Sequence, residues 1–339
     1  MNKRIKFPEI EQFRQLIKFV SDRTRYAGKN ENGAIFDNSI KLPTLTFTGT
    51  VKLHGTNSGV TLSKNGKIYA QSRESILTVE DDNYGFASFV EKNEQSFRKL
   101  FDTLEFRDCD YITIFGEWCG SNIQKGVAIN GLPKMFVIFD VKMSYDSDEK
   151  NNYFLDNDEI KHLRNEKILI YNIYDFETYT IDIDFENPAL SQNKLVELTN
   201  EVEKQCPVGK VFGKEGIGEG IVWKSKAFNE TIRFKVKGEK HSSSKVKTLA
   251  PVDTEKINSI KEFAKYSVTV SRLEQGLEKT FGEEEIDIKK LGDFLRWIVN
   301  DILKEERDTL EDNGLEPKDV NKEISNVART WFLNKWNKI

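Results

Sequence analysis

Residues 51–60 read VKLHGTNSGV, a lysine two places ahead of a histidine with small residues and an asparagine behind them. A lysine that attacks phosphorus must give up its proton, and enzymes arrange this by placing the amine near other cations or in a desolvated pocket. Lys52 has candidate neighbours of that kind. Arg73 lies across a predicted hairpin, and the stretch TIRFKVK, residues 231–237, alternates Ile232, Phe234 and Val236 with Arg233, Lys235 and Lys237. In a strand the second set shares one face, which would carry three positive charges. A triphosphate in transfer needs such a face, because the charge spread over its oxygens must be met by fixed cations and a metal.

Carboxylates come from two other places. ITIFGEWCG, residues 112–120, sets Glu117 directly after a glycine read as the end of a strand, and GEGIVWK, residues 218–224, sets Glu219 at the start of another. Magnesium takes one or two protein carboxylates, several waters and substrate phosphate oxygens, so Glu219 with Glu117 could supply its protein ligands. Alternatively, Glu117 could bind a ribose hydroxyl. MFVIFDVK, residues 135–142, ends an apolar run with Phe139, able to stack on a purine, and Asp140.

These residues need elements to hold them. Leu45, Phe47, Val51 and Leu53 alternate with Thr46, Thr48, Thr50 and Lys52, which predicts a strand with Lys52 on its polar face. Val60 to Leu62 and Ile68 to Ala70 flank Lys64-Asn65-Gly66-Lys67, a hairpin signal. A helical stretch carries Phe86, Phe89, Val90, Phe97, Leu100 and Phe101. Strands are predicted at Tyr111 to Phe115, Phe136 to Val141, Ile221 to Lys224 and Ile232 to Val236. Near the N-terminus, Pro8 followed by Ile10, Phe13, Ile17 and Val20 predicts an amphipathic helix with proline in its first turn. The segment from Asp146 to Asp184 shows no motif and is expected to be an insertion. From about residue 253 the pattern turns helical, with Leu291, Phe294, Leu295, Ile298 and Ile302 at helix spacing. The Ser- and Lys-rich stretch Gly238 to Pro251 is read as a connector. The expected class is α+β with antiparallel sheets, in a domain over 1–250, followed by a small all-helical domain over 251–339.

Bulk composition narrows the class of protein. The 339 residues are 38% hydrophobic and 31% charged, enough for two domains or one large one. MNKRIKFPEI lacks the apolar core of a secretory signal and no stretch approaches a membrane span, so a cytoplasmic chain with no membrane partner is expected. Three cysteines, Cys109, Cys119 and Cys206, are too few and too widely spaced for a disulfide framework or a zinc knuckle. The net charge of −4 argues against a non-specific nucleic-acid coat but leaves room for a local basic groove.

The order of the motifs is more specific than any one of them. K-x-H-G-T-N, an arginine about twenty residues on, F-G-E, F-D, E-G-x-V-x-K and a final K-x-K resemble the successive motifs of the covalent nucleotidyltransferases, the superfamily of polynucleotide ligases and RNA capping enzymes. With His54 where most DNA ligases and capping enzymes have aspartate, the chain most resembles the RNA ligase 2 family of nick-sealing enzymes. The similarity extends to GSNIQKGV at 120–127 and to VSRLEQGLEK and NDILKEE in the helical part. It implies a nucleotidyltransferase (ATP-grasp-like ligase) domain, ATP as AMP donor, Mg2+ or Mn2+, and an RNA partner, a nicked duplex, bound by a monomer. It further implies Lys52 as the adenylylated nucleophile, with Val51, Leu53, His54, Thr56 and Asn57 around it. Arg73 and Glu117 would hold ribose and phosphates, Phe139 would stack on adenine, and Asp140 would order the pocket. Glu219 and Lys224 fall in the fourth motif, and Lys235 and Lys237 in the last, on the phosphates. Arg272, Asp301 and Glu305 would serve strand sealing from the helical domain. Two positions depart from the pattern: Val51 replaces a frequent acidic residue and Trp223 a smaller apolar one. The alternatives are a capping guanylyltransferase or DNA ligase of the same superfamily, or a non-catalytic RNA-binding scaffold.

Overall fold

A computed structural model describes residues 2–31, 33–104, 108–147, 149–238, 240–241, 260–282, 285–312 and 314–336. The chain forms two compact units, Met1–Glu11 with Val20–Val236, and Gln12–Phe19 with Lys237–Ile339. The expected boundary at 250/251, and most of the expected connector, lie outside the described residues.

The first unit is a mixed α/β structure built on two sheets. Its strands are β1 (Glu11–Gln12), β2 (Tyr26–Asn30), β3 (Gly33–Phe36), β4 (Thr44–Lys52), β5 (Thr56–Ser63), β6 (Ile68–Ser72), β7 (Tyr111–Cys119), β8 (Met135–Ser144), β9 (Tyr153–Phe154), β10 (Ile170–Asn172), β11 (Thr178–Asp184), β12 (Gly220–Ala227) and β13 (Glu230–Lys237). One sheet runs β1-β13-β12-β4-β11; the other runs β10-β8-β7-β5-β6, with β9 beside β8; β2 and β3 form a hairpin of their own. Most pairings are antiparallel, β10 with β8 being parallel.

The expected strand around Lys52 and the hairpin after it are present, and the Asn65-Gly66 turn has Gly66 at φ +79°. The segment expected to be an insertion instead supplies an edge strand to each sheet: β11 pairs with β4 from Thr178↔Thr50 to Asp184↔Thr44, and β10 pairs with β8. The physical reason is in TYTIDID itself, whose Tyr179, Ile181 and Ile183 alternate with polar residues as a half-buried strand requires.

Helices α2 (Phe86–Lys92) and α3 (Glu94–Asp102) are separated at Asn93, which caps both. They bring Phe86, Phe97, Leu100 and Phe101 into one buried cluster with Ile114, Phe136 and Ile138 of β7 and β8. Each such phenylalanine contributes roughly 1.5–3 kcal/mol by leaving water. Phe115, on the opposite face of β7 from Ile114, packs with Ile5 and Phe7. In the other sheet Trp223 stacks on Phe234 and is fully buried. Its cross-strand partner is Gly49, where an added Cβ would come within 2.7 Å of the indole, so the bulky Trp223 is accommodated by the glycine opposite.

The N-terminal helix α1 spans Phe13–Arg25, so Pro8 precedes it by several residues instead of opening it. The start is fixed by Gln12, whose backbone N–H is taken by the Gln15 side chain at 2.8 Å, satisfying a donor the first turn leaves free. In the second unit, helices α4 (Asn157–Ile160), α5 (Ala189–Lys204) and α6 (Pro207–Val211) having gone before in the first, the chain forms α7 (Ile260–Ser267), α8 (Val270–Phe281), α9 (Leu291–Glu305), α10 (Arg307–Asp312) and α11 (Pro317–Trp336). Phe263, Leu273, Phe294, Ile298, Ile324 and Phe332 form their shared core. No helix among the described residues is long and apolar enough to cross a membrane.

Candidate active site

The chain passes from one sheet to the other at Lys52–Thr56: β4 ends at Lys52 in the first sheet and β5 begins at Thr56 in the second. The connecting turn is the HGTN stretch, and its tightness depends on Gly55. A Cβ there would lie 2.4 Å from the Trp118 carbonyl oxygen. That close approach lets the Gly55 N–H donate to Glu117 Oε1 at 3.0 Å, and it sets Asn57 opposite Glu117 in the β5–β7 register.

Across the first sheet Lys52 pairs in register with Gly220, so the residue before it, Glu219, comes level with the end of β4. The Glu219 carboxylate is 2% exposed; its Oε2 lies 2.7 Å from Lys52 Nζ and 3.2 Å from His54 Nδ1. Lys52 keeps a route to solvent, its side chain being 21% exposed. Glu117 senses the same group of charges. Burial raises its carboxyl to about 7, Lys52 and His54 pull it down, and the Glu219 carboxylate pushes it up. Glu117 lies within β7, which continues to Cys119, and not at a strand end as the sequence suggested; a glycine tolerated inside a strand was misread as a stop.

β13 is separated from β4 by β12, roughly 10 Å at ordinary strand spacing, and Glu219 supplies a carboxylate in contact with the Lys52 amine. Lys235 and Lys237 are half-buried on β13. Arg233, on the same face by alternation, is buried and committed: its Nε and Nη2 donate to Asp140 Oδ2 at 3.1 and 2.8 Å. Asp140 Oδ1 accepts from Lys224 Nζ at 3.0 Å. Asp140 is on β8 of one sheet, and its two partners are on β12 and β13 of the other, so this carboxylate ties the sheets together. Burial lowers the Lys224 amine from its ordinary range, and Asp140 offsets part of that. Phe7 and Phe154 face the Arg233 guanidinium, with ring centroids 5.3 and 4.2 Å away.

The other expected site residues are placed as follows. Val51 and Leu53 turn their side chains into the core, which leaves only their backbone for a ligand. Thr56 Oγ1 accepts from Asn83 Nδ2 at 2.9 Å. Arg73 follows β6 directly, and its carbonyl accepts from Arg4 Nη1. Phe139 is the extra residue of a bulge between β7 and β8, partly buried with its ring edge-on to Phe7 at 5.2 Å; a bulge re-aims a side chain from the regular pleat.

In the second unit Arg272 is fully buried, donating through Nε to Asp301 Oδ2 at 2.8 Å and through Nη2 to Glu306 Oε1 at 3.4 Å. Glu306, also fully buried, receives Arg14 Nη2 at 2.9 Å. Glu305 meets that cluster through its backbone, its carbonyl accepting from Arg14 Nη2 at 3.0 Å, while its carboxylate accepts from Gln12 Nε2 at 3.0 Å. The sequence spacing of Asp301 and Glu305 suggested one helical face, but α9 ends at Glu305 and the turn into α10 brings Glu306 inward instead. Arg233 and Glu306 are the functional candidates that the sequence left without a partner; a cation on a lysine-rich strand and an acid in an acidic run gave no sign of burial.

No cluster of three or more His, Cys, Asp or Glu side chains among the described residues is arranged to hold a metal by itself. Glu219 and Glu117, whose carboxylates act on each other electrostatically, are two acids that could contribute to an ion site completed by waters and phosphate oxygens.

A family model described as RNA ligase matches residues 45–237, more than half of the chain, from β4 through β13. No curated protein matches the chain. Similar solved structures include a Naegleria gruberi RNA ligase mutant with ATP and Mn, at 17% identity and a TM-score of 0.43. Another mutant of that ligase with AMP and Mn stands at 18% and 0.43, and the ligase with PPi at 18% and 0.42. Each match covers 69% of this chain and 56% of the other, so the chain matches little more than half the length of those proteins. By the span of the family match, which contains Lys52, Glu117, Asp140, Glu219 and Arg233, the chain belongs to the RNA ligase family.

Proposed function

We propose that the protein is an ATP-dependent RNA ligase that stores AMP on Lys52 and seals a 5′-phosphate to a 3′-hydroxyl, at nicks in duplex RNA. The observation that carries this reading is the Lys52 amine held 2.7 Å from a buried glutamate at the junction of two sheets, inside the family-matched span.

In the first step the lone pair of Lys52 Nζ attacks the α-phosphorus of ATP. The nitrogen–phosphorus bond forms as the bond to the bridging oxygen breaks, and pyrophosphate leaves with that electron pair. Glu219 orients the amine and is placed to accept its proton, and His54 fixes the same carboxylate from the other side. Glu219 and Glu117 would hold a divalent ion, Mg2+ or Mn2+, whose chemistry there is to offset phosphate charge. Lys235 and Lys237 would meet the outgoing phosphates, Arg73 the ribose or phosphates, and Phe139 the purine. Lys224 stays within the Asp140 cluster until a phosphate competes for it. In the second step an RNA 5′-phosphate oxygen displaces Lys52 from the AMP, and in the third a 3′-hydroxyl displaces AMP from the RNA phosphate. Residues 1–250 would act as the adenylyltransferase domain and residues 251–339 as a helical domain used in sealing. Arg272, fully buried and paired with the partly exposed Asp301, would support that domain's shape and so act on sealing indirectly. A nicked duplex would be recognised through A-form shape, 2′-hydroxyls and phosphates.

Incubation with ATP and magnesium but no RNA should add one AMP to the intact protein, read by mass, and Lys52→Ala should remove the adduct while the variant still melts cooperatively as a folded protein. An adduct of equal yield on Lys52→Ala would refute the assignment.

A further inference from the structure

Tyr84 is an aromatic residue in a backbone conformation that favours glycine, φ +52°, with 49% of its surface exposed. Gly85 follows at φ +82°, and the pair turns the chain into α2. A glycine would make such a turn at lower steric cost, so the turn does not call for a tyrosine. Backbone strain of this kind persists where the surroundings hold it, and here they do. The Tyr84 carbonyl accepts from Trp118 Nε1 at 3.2 Å and from Lys134 Nζ at 2.7 Å. On the preceding side the Asp82 carboxylate accepts from the N–H groups of Asn83, Ala87 and Ser88 at 2.7, 2.7 and 3.0 Å. Between them, Asn83 Nδ2 donates to Thr56 Oγ1 at 2.9 Å, which ties the segment to the turn that carries His54 and follows Lys52.

The result is a mount held on several sides with an exposed ring, next to a residue hydrogen-bonded to Thr56, four positions after the proposed nucleophile, and beside the Lys134 ammonium. From this we propose that Tyr84 is a stacking platform for a nucleobase of the RNA strand that receives AMP, with Lys134 offering its charge to that strand's phosphate. Aromatic rings bind unstacked bases through their faces, and a neighbouring cation serves the backbone. The inference rests on the ligase reading above and names a piece of its polynucleotide site.

The test separates the nucleotide from the polynucleotide. Full-length wild type, Tyr84→Ala, Tyr84→Gly and Tyr84→Phe are compared in lysyl-AMP formation without RNA, then in single-turnover AMP transfer to a 5′-phosphorylated nicked duplex. Both the Ala and Gly variants should form the adduct within about twofold of wild type yet need roughly tenfold more RNA for half-maximal transfer, the scale of one lost base stack. Tyr84→Phe should behave as wild type. An abasic site at the 5′-phosphate nucleotide should weaken the wild type by a similar factor and Tyr84→Gly no further. Tyr84→Gly suits the left-handed backbone, so it keeps the test valid if Tyr84→Ala folds poorly. Unchanged RNA dependence in Tyr84→Gly would overturn the proposal, as would a defect confined to adduct formation, which would assign the ring to ATP. Should wild type form no adduct, the ligase reading fails first; anisotropy with the same nicked RNA then judges the ring alone, and equal binding by wild type and Tyr84→Gly overturns it.

Discussion

The ε-amine of Lys52 and the carboxylate of Glu219 meet at 2.7 Å because Lys52 pairs with Gly220 across neighbouring antiparallel strands. Sheet register, and not a local sequence motif, is what delivers an acid from residue 219 to an amine from residue 52. Replacing Glu219 with Gln keeps the shape but removes the charge that orients the amine and would hold the ion. Lysyl-AMP formation should fall by about a hundredfold or more, on the scale of removing a group that acts at the reacting atom. A quenched-flow time course of adduct formation checks this; a rate within threefold of wild type would remove Glu219 from the chemistry.

Glu117 gives the site a pH signature. Its carboxyl is raised to about 7, chiefly by burial. Below that pH it is protonated and unavailable as an anion, so adduct formation should rise with pH through about 7, and Glu117→Gln should flatten that limb. The stability consequence has the opposite sense. The folded state holds the proton above the ordinary carboxylate range while the unfolded state has lost it, so this group's contribution declines as pH rises from about 4.5 to about 7 and is level above. Thermal melts of wild type and Glu117→Gln across that window should diverge with pH, by on the order of 3 kcal/mol.

The trio of Asp140, Lys224 and Arg233 links two sheets through one buried carboxylate. Asp140→Asn would leave two cations facing an amide, and breaking a buried pair costs about 3–5 kcal/mol. Urea unfolding should show a loss of that order, larger than for Arg233→Lys, which retains charge but not the paired donors to Asp140 Oδ2. An Arg233→Lys loss near zero would mean that the charge on the β13 side, and not its geometry, is what Asp140 needs.

In the helical part the sequence and the structure disagree about which acid matters. Glu306→Gln should lower the melting temperature markedly, because Glu306 is fully buried between Arg14 and Arg272. Glu305→Gln should cost less than Glu306→Gln, because Gln keeps an oxygen to accept from Gln12 Nε2 and no fully buried charge is left unpaired. Reversed sensitivities in differential scanning calorimetry would contradict the cluster.

The strands carrying Lys52, Lys224 and Lys235 were legible because alternation at period two is written in TLTFTGTVK, GIVWKSKA and ETIRFKVK, and the hairpin at Asn65-Gly66 because that pair suits its turn. Which strands lie side by side was not legible. Lys235 and Lys237 lie on a strand separated from that of Lys52 by β12, and strand order depends on long-range pairing that no local pattern encodes. Burial of charge was hidden for a related reason. Arg233 and Lys235 look alike in sequence, and nothing local shows that Arg233 is buried against Asp140, 93 residues away. Glu117 illustrates a third limit: Gly116 reads as a stop, but a Cβ there would come within 2.6 Å of Phe136 and the Val137 carbonyl, so the glycine is inside a crowded sheet. The role of Arg272 turned on one residue of helix length, since α9 ends at Glu305 and Glu306 turns inward.

The most direct measurement of the central claim is the location of AMP on the protein after brief exposure to ATP and magnesium, by proteolysis and fragmentation mass spectrometry. The account predicts a single AMP-bearing peptide with the label on the Lys52 amine, discharged when a 5′-phosphorylated nicked RNA is added. A label on Lys224, Lys235 or Lys237, or one on Lys52 that RNA does not discharge, would contradict it.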